Sequence, residues 1–232
     1  MAERIIPQHI SIIMDGNGRW AKARGQQRAY GHIEGVERVR DITTACVELG
    51  VRYLSLYTFS EENWNRPAEE VNALMGLMMK SIEEEYETMM RNGVRFRVLG
   101  NRARLSELLL EAISNLEKAT EGNTNMDMII MLSYSGKWDI LQAARKLLAS
   151  GKDPEQLDYA DVDAALVTAG IPDPELVIRT SGEKRISNYM LWQTAYSEFV
   201  FTDTLWPDFR KEQLLDAIDE FSSRDRRFGK VK

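Results

Sequence analysis

The sequence has a single cysteine, Cys46, among its 232 residues, so no disulfide can form within the chain. This cysteine usage is typical of a reducing compartment. No segment approaches the roughly 18 consecutive apolar residues of a membrane-spanning helix. The first residues, MAERIIPQHI, lack the basic and then apolar pattern of a signal peptide. These absences predict a soluble, cytoplasmic protein.

Positive charge is not in excess, because 30 Lys and Arg face 36 Asp and Glu and the formal net charge is −6. A general nucleic-acid-binding protein needs a basic stripe to neutralise phosphates, so the charge balance argues against that class. The apolar fraction of 44% is enough for a sizeable core. Because no repeat, low-complexity tract or clear linker interrupts the chain, we expect one domain over residues 1–232.

Short β-rich segments alternate with helical ones along the whole chain. The predicted strands are His9–Asp15, Arg52–Phe59, Val94–Gly100, Met126–Tyr134, Glu175–Thr180 and Glu198–Asp203. Helical spacing of apolar residues, including Ile33 and Tyr86, occupies residues 31–50, 68–90, 105–119, 138–148 and 211–221. The alternation predicts an α/β fold with a mainly parallel six-stranded sheet flanked by helices.

A glycine-rich turn, Asp15-Gly16-Asn17-Gly18-Arg19, follows the first predicted strand. Its glycines allow backbone N–H groups to approach an anion, and Arg19 and Arg28 can donate charge-assisted bonds to phosphate. Asp15 among these donors indicates a divalent metal between carboxylate and phosphate. The alternative is a tight turn with an aspartate helix cap, because short glycine motifs are weak signals. The motif also matches neither a Walker loop nor Gly-x-Gly-x-x-Gly.

A second cluster, RTSGEKRIS (Arg179 to Ser187), follows the fifth predicted strand and combines glycine, hydroxyls and two arginines. Two arginines and a serine would hold one diphosphate. Each cluster taken alone is also compatible with an ordinary solvated loop. Because the carboxyl ends of parallel strands share one edge of a sheet, the two together indicate a site for two phosphorylated ligands.

These clusters belong to longer motifs: HISIIMDGNGRWA, GHIEGVERVR, LYTFSEENWNRP, the segment from ELVIRTSGEKRISN to LWPDF, and RRFGK. In this order they resemble the cis-prenyltransferase family of undecaprenyl diphosphate synthase, from about His9 to Gly229. The resemblance implies a homodimeric, Mg²⁺-dependent enzyme. Its reaction would add isopentenyl diphosphate to an allylic diphosphate, typically farnesyl diphosphate, to make a Z-polyprenyl diphosphate. The expected product is undecaprenyl diphosphate, for a cell-wall lipid carrier.

The resemblance also implies roles for individual residues. The family's catalytic positions match Asp15 and Asn63. Its metal-associated acids match Asp15 and Glu198. Positions that match substrate contacts are Gly16, Asn17, Gly18, Arg19, Trp20, Arg28, His32, Ser60, Glu61, Glu62, Trp64, Arg66, Arg179, Arg185, Ile186, Ser187, Arg227 and Gly229. Arg227 and Gly229 would reach into the neighbouring subunit. Asn63 falls where the family has a proton acceptor; because an amide is a weak base, it would instead orient water, a diphosphate oxygen or Asp15.

A growing hydrocarbon implies an apolar tunnel, and the methionine-rich helix at 68–90 suits its wall through Leu74, Met75, Met78 and Ile82. Ordinary core packing is the alternative interpretation of that helix. Membrane contact would be at most transient. The chain departs from the family at Ser133-Tyr-Ser-Gly-Lys137, where Asn-Tyr-Gly-Gly-Arg is common. Two other functions stay open: a non-catalytic partner subunit of the same fold, and a general binder of phosphorylated metabolites.

Overall fold

The computed structural model describes residues 4–226, in which six strands alternate with seven α-helices. The strands are β1 (His9–Ile13), β2 (Tyr53–Ser60), β3 (Val94–Leu99), β4 (Met126–Tyr134), β5 (Leu176–Arg179) and β6 (Glu198–Phe201). The helices are α1 (Asn17–Ala23), α2 (Arg28–Leu49), α3 (Ala68–Asn92), α4 (Glu107–Thr120), α5 (Gly136–Ser150), α6 (Tyr159–Ala165) and α7 (Lys211–Ser223). The strands form one sheet in the order β3-β4-β2-β1-β5-β6, with every pair parallel. The predicted fold is confirmed.

Both faces of the sheet are covered by apolar side chains. On one face, alternate residues such as Ile10 and Ile12 pack with apolar residues of α2, α3, α4 and α7. On the other face, Ile13 and Val177 pack with Tyr189, Met190 and the start of α5. This two-sided burial explains why β4 is almost entirely buried along its length and reads as a continuous apolar run.

Two apolar residues that the helical spacing points inward are instead exposed. Ile33 of α2 is 50% exposed because the first turns of α2 bury Gly31 and Gly35 against α1, which turns Ile33 outward. Tyr86 of α3 is 44% exposed, since Glu85 and Met89 occupy the inner side of the helix at that height. Helix α6 was not predicted; reciprocal side-chain bonds between Asp158 and Asp161 cap its start.

The topology fixes where a ligand can bind. Strand β1 lies between β2 and β5, and the chain leaves β1 toward one edge of the sheet and later returns to the other. In open parallel sheets, the crevice for ligands lies beyond the carboxyl ends of the strands at such a reversal. Between residues 4 and 226, no helix has the length and apolar character to cross a membrane.

Candidate active site

The turn after β1 depends on glycine at position 16, where φ is +109° and an added Cβ would lie 2.9 Å from Leu205. Helix α1 then begins at Asn17. Behind the turn, Gly31 and Gly35 let α2 approach Asn17 closely. A Cβ added at Gly31 would lie 2.0 Å from the carbonyl oxygen of Asn17, and one added at Gly35 would lie 2.5 Å from its Oδ1. These two helix glycines therefore set the position of the turn.

Asp15 faces the end of β5. Its Oδ2 accepts a hydrogen bond of 2.9 Å from Nη2 of Arg179, whose side chain is only 5% exposed. Nη1 of Arg179 donates to the Ser187 hydroxyl at 2.8 Å and also to the Arg185 carbonyl. Arg179 thus joins the acid after β1 to the loop after β5.

The electrostatic surroundings keep Asp15 ionised. Partial burial opposes its charged form, but the bond and charge of Arg179, with contributions from Ser181 and Arg19, outweigh burial and lower the pKa of the carboxyl group. Arg19 lies 3.6 Å from Oδ2 of Asp15 and donates to the Ser181 carbonyl at 3.1 Å. An ionised aspartate therefore lies within a group of guanidinium cations.

A second group of cations comes from α2 and the segment before α3. Arg28 and Arg66 pair with the same carboxylate oxygen of Glu70, at 3.2 and 3.0 Å. His32 lies in the same neighbourhood, where burial lowers its pKa to about 4 and the charges of Arg28 and Arg66 add to the shift. His32 is therefore neutral at physiological pH. Glu70 was not among the predicted site residues.

Three buried polar atoms of this region have no partner in the described chain: Oδ1 of Asn17, Nε2 of His32 and Nε of Arg179. Unpaired buried polar atoms are uncommon in folded proteins because leaving them unpaired costs free energy. All three residues line the same cavity. Their grouping indicates a site that is completed by a polar ligand.

A short 3₁₀ helix, Glu61–Asn65, follows β2 and is capped by Ser60. The Ser60 hydroxyl accepts from the backbone N–H of Asn63 at 3.2 Å, and Oδ1 of Asn63 accepts from the backbone N–H of Ser60 at 3.1 Å. That bond uses one of the two lone pairs of the amide oxygen, and the NH₂ group of Asn63 remains available to donate to a ligand. This group donates hydrogen bonds and cannot accept a proton.

One cavity of about 500 Å³ connects these groups to an apolar interior between the sheet, α2 and α3. Its polar end is lined by Asp15, Gly16, Asn17, Gly18, Arg19, Arg28, His32, Ser60, Asn63, Arg66, Arg179, Arg185 and Ser187. Its apolar part is lined by residues that include Leu74, Met75, Met78, Ile82, Met89, Phe96, Met128 and Ile130. The structure therefore brings the two predicted phosphate clusters together at the mouth of an apolar space, and places the four predicted wall residues along it.

Several predicted contact residues do not line this cavity: Trp20, Glu61, Glu62, Trp64 and Ile186. Trp20 is buried, and its indole N–H donates to Asp208 at 2.7 Å. Glu61 accepts from the Ser133 hydroxyl at 2.5 Å, and that hydroxyl accepts from the Trp64 indole N–H at 2.8 Å. The polar groups of Trp20, Glu61 and Trp64 are therefore engaged by other residues of the chain. Arg227 and Gly229 lie outside the described residues.

Glu198 is not brought to Asp15 within the chain. It is the first residue of β6 and pairs in register with Leu176, the first residue of β5, whereas Arg179 is at the other end of β5. Its carboxylate accepts from Arg224 at 2.8 Å. Glu198 and Asp15 therefore lie at opposite ends of the sheet, so the expectation that they share one metal is not met within one chain.

The donor set suits a metal that is held partly by substrate. No group of three or more His, Cys, Asp or Glu side chains able to hold a metal occurs in residues 4–226. Mg²⁺ often binds through one or two carboxylates together with substrate phosphates and water. Asp15, partly exposed among the predicted phosphate-binding groups, matches that arrangement and not an all-protein cage.

Sequence reasoning missed some residues that shape the site. Tyr57 lines the cavity and stacks on Tyr189 with ring centroids 4.2 Å apart. The four-residue spacing of Gly31 and Gly35 on one predicted helix was an available signal of close helix packing. Glu70 gave no such signal, because its pairing with two arginines depends on how α3 is placed against α2.

Comparisons with known proteins agree with this geometry. The Prenyltransf family model, described as undecaprenyl diphosphate synthase, matches residues 13–229. An isoprenyl transferase of Chlorobaculum tepidum is 50% identical over 231 residues, covering 98% of this chain and 87% of the relative. An isoprenyl transferase of Porphyromonas gingivalis is also 50% identical, covering 98% and 91%.

Two solved structures extend the comparison. Lavandulyl diphosphate synthase from Lavandula x intermedia, solved in complex with dimethylallyl diphosphate, has a TM-score of 0.93 and 36% identity, covering 97% of this chain and 98% of that one. A protein described as a probable undecaprenyl diphosphate synthase from Campylobacter jejuni has a TM-score of 0.83 and 29% identity, covering 97% and 100%.

Proposed function

Because the chain belongs to the undecaprenyl diphosphate synthase family and is a cis-prenyltransferase, we propose that it adds isopentenyl diphosphate to farnesyl diphosphate. Successive additions give a Z-polyprenyl diphosphate, with undecaprenyl diphosphate for cell-wall lipid carrier as the product. One observation carries the proposal: two phosphate-binding clusters meet at the polar mouth of a cavity whose interior is apolar. Such a cavity accepts a diphosphate head and a hydrocarbon tail at the same time.

The two substrates divide the polar end between them. The allylic diphosphate binds to the turn Gly16-Asn17-Gly18-Arg19, with Arg28 and His32 beside it. Isopentenyl diphosphate binds to Arg185 and Ser187, which Arg179 already holds through its Nη1. Since Arg179 also bonds Asp15, the same guanidinium fixes the two binding regions relative to each other.

Magnesium is the proposed cofactor, and Asp15 would be the residue of the chain that holds it. When bound, it neutralises negative charge on the diphosphate that leaves. Glu198 does not complete this site within the chain, because it lies at the other end of the sheet.

The chain's own residues assist the bond changes as follows. The allylic C1–O bond breaks and leaves a carbocation-like carbon, while backbone N–H groups of the turn and the guanidinium groups of Arg19 and Arg28 stabilise the departing diphosphate. The double bond of isopentenyl diphosphate then attacks C1, and the adduct loses one proton to form the new double bond. Products are a diphosphate chain longer by five carbons, free diphosphate and a proton.

Asn63 acts in this scheme as a donor. Its oxygen accepts from the backbone N–H of Ser60, and its NH₂ group orients a diphosphate oxygen or a water molecule that accepts the proton. His32 is neutral and stands near the allylic diphosphate, where it supplies a hydrogen bond without adding charge. The role of His32 agrees with its Nε2, a buried atom that has no hydrogen-bond partner within the described residues.

The apolar part of the cavity receives the growing tail. Each five-carbon unit taken out of water contributes roughly 3–4 kcal/mol at about 0.8 kcal/mol per CH₂. Leu74, Met75, Met78 and Ile82 form the wall on the α3 side. Elongation is therefore favourable until the space is filled, and release of a long product is slow.

The remaining features of the proposal are a single catalytic domain over residues 1–232, a homodimer, a cytoplasmic location, at most transient membrane contact and no binding of nucleic acid. The single buried cysteine supports the cytoplasmic location, and the net charge of −6 supports the absence of nucleic-acid binding. A non-catalytic partner subunit is less well supported, because Asp15, Arg179 and Ser187 are present and connected. A general phosphometabolite binder would have no use for the apolar cavity.

One assay tests the proposal against both alternatives. The purified protein is incubated with farnesyl diphosphate, labelled isopentenyl diphosphate and Mg²⁺, and the products are resolved by chain length. We expect long Z-polyprenyl diphosphates and no turnover after chelation of the metal. Binding of both diphosphates without transfer would favour the partner subunit, and equal affinity for diphosphates with and without a prenyl tail would favour the general binder.

A further inference from the structure

Asn188 connects three loops at the polar end of the site. Its Nδ2 donates to Oε1 of Glu62 at 2.6 Å, and its Oδ1 accepts from the backbone N–H of Lys137 at 3.0 Å. Its backbone carbonyl accepts from the N–H of Gly136 at 2.6 Å. One asparagine thus joins the loop after β5, the 3₁₀ helix after β2 and the start of α5.

The backbone around Asn188 is held in an unusual conformation. Ser187 and Asn188 both have positive φ, +50° and +59°, a region that side chains other than glycine enter at a cost. Asparagine tolerates this region better than most residues. The conformation places the Ser187 hydroxyl 2.8 Å from Nη1 of Arg179. Asn188 therefore holds in place the residue next to it, which belongs to the isopentenyl diphosphate region.

The partner of Asn188 on the other side, Glu62, lies in the 3₁₀ helix that carries Asn63. Glu62 neighbours Asn63 in the 3₁₀ helix, and Asn63 lines the cavity whereas Glu62 does not. The Glu62 carboxylate therefore serves as an attachment point for this helix. A carboxylate that touched a diphosphate directly would also repel it.

We propose that Asn188 is a positioning residue for prenyl transfer, because it fixes the 3₁₀ helix that carries Asn63 against the loop that carries Ser187. This inference rests on the proposed function, in which Ser187 contacts isopentenyl diphosphate and Asn63 orients the group that accepts the proton. The bond between Asn188 and Glu62 sets the distance between Asn63 and Ser187. A small error in that distance lowers the rate of transfer more than the affinity for either substrate.

The test reverses the polarity of the bond. Asn188→Asp keeps the acceptor for Lys137 but sets a carboxylate against Glu62, and Asn188→Gly removes both side-chain bonds while relaxing the positive φ. Adding Glu62→Gln to Asn188→Asp restores a hydrogen bond with donor and acceptor exchanged. We expect kcat to fall about tenfold in both position-188 variants, with KM for each diphosphate within about twofold of wild type. The double variant should recover kcat to within about threefold of wild type.

A second readout does not need turnover. Hydrogen exchange of the backbone amides at residues 60–66 should be faster in Asn188→Asp and Asn188→Gly, and should return toward the wild-type rate in the double variant. Asn125→Gly is the control, because this asparagine also links two separate segments: its side chain donates to the carbonyl of Asn92, the last residue of α3, at 2.8 Å. Asn125 precedes β4 and therefore lies at the opposite end of the sheet. It should leave exchange at 60–66 and kcat unchanged.

The outcomes separate the two proposals. If wild-type protein transfers no prenyl group, the proposed function fails, and hydrogen exchange alone decides whether Asn188 holds the 3₁₀ helix. If wild type is active, an unchanged kcat in Asn188→Gly, a rise confined to the KM of isopentenyl diphosphate, or no recovery in the double variant each overturns the inference.

Discussion

Replacing Gly31 with alanine should displace the turn Gly16-Asn17-Gly18-Arg19, the proposed diphosphate site, by pressing on its backbone without removing any of its side chains. The added Cβ would lie 2.0 Å from the backbone oxygen of Asn17, whereas real Cβ contacts are essentially never under 3.0 Å. The helices α1 and α2 must therefore separate by about 1 Å (3.0 − 2.0 Å). A backbone oxygen cannot rotate away, so this movement carries Asn17 with it.

The expected change in stability is the difference between two effects. Overpacking costs about 1–3 kcal/mol, and alanine gains about 1 kcal/mol over glycine inside a helix. The free energy of unfolding should fall by about 0–2 kcal/mol, which lowers Tm by at most roughly 8 °C at about 2–4 °C per kcal/mol. Because the turn moves by about 1 Å, kcat/KM for the allylic diphosphate should fall by up to about 100-fold.

Gly76→Ala is the matched control, since Gly76 lies inside α3 and an added Cβ would meet nothing within 4 Å. This variant should raise Tm by roughly 2–4 °C and keep wild-type kinetics. Thermal unfolding and steady-state kinetics with varied farnesyl diphosphate measure both effects. The reasoning is refuted if Gly31→Ala retains kcat/KM within threefold of wild type.

Asp15→Asn should lower kcat by about 10²–10³, measured as labelled isopentenyl incorporation, while inorganic diphosphate still binds in calorimetry; an unchanged kcat would contradict the role of Asp15. His32 has a folded pKa of about 4, below its ordinary 6.5, so the unfolded chain binds more protons between these values and stability falls as pH drops through that window. His32→Gln should therefore reduce the loss of unfolding free energy between pH 6.5 and 4 by about 2–3 kcal/mol, measured by urea titrations. Part of the loss that remains should come from His9, whose pKa is also lowered to about 4, chiefly by burial. An equal loss in variant and wild type would disprove the buried neutral state of His32. Met78→Trp should fill the cavity and shorten the products resolved by chromatography, whereas the exposed Lys80→Trp on the same helix should not; identical product lengths in both would remove Met78 from the wall.

The sheet could be predicted from sequence because strands covered on both faces leave continuous apolar runs between helical periods, as at Met126–Tyr134. The placement of the two predicted phosphate clusters could be predicted as well, since glycine, arginine and hydroxyl residues follow the ends of β1 and β5 directly. The parallel topology then required them to meet, and Arg179 joins them at Asp15.

Other parts of the site depend on contacts that spacing along the chain does not contain. Glu70 pairs with Arg28 and Arg66 only because α3 lies against α2. Asn188 reaches Glu62 across 126 positions of sequence. Family resemblance alone associated Glu198 with the metal. The predicted strand Glu198–Asp203 already began at this residue, and the register of β6 on β5 shows that this start lies at the far end of the sheet from Asp15.

The Asp15–Arg179 bond joins residues 164 positions apart, and this has a consequence for synthesis of the chain. A ribosome releases the first strand long before β5 exists, and pairing between distant strands is slow to form. A nascent polypeptide that ends before β5 therefore has the glycine turn but not the guanidinium that holds its aspartate. Competence to capture isoprenoid precursors arises only when translation is nearly complete, so truncated products should not sequester them.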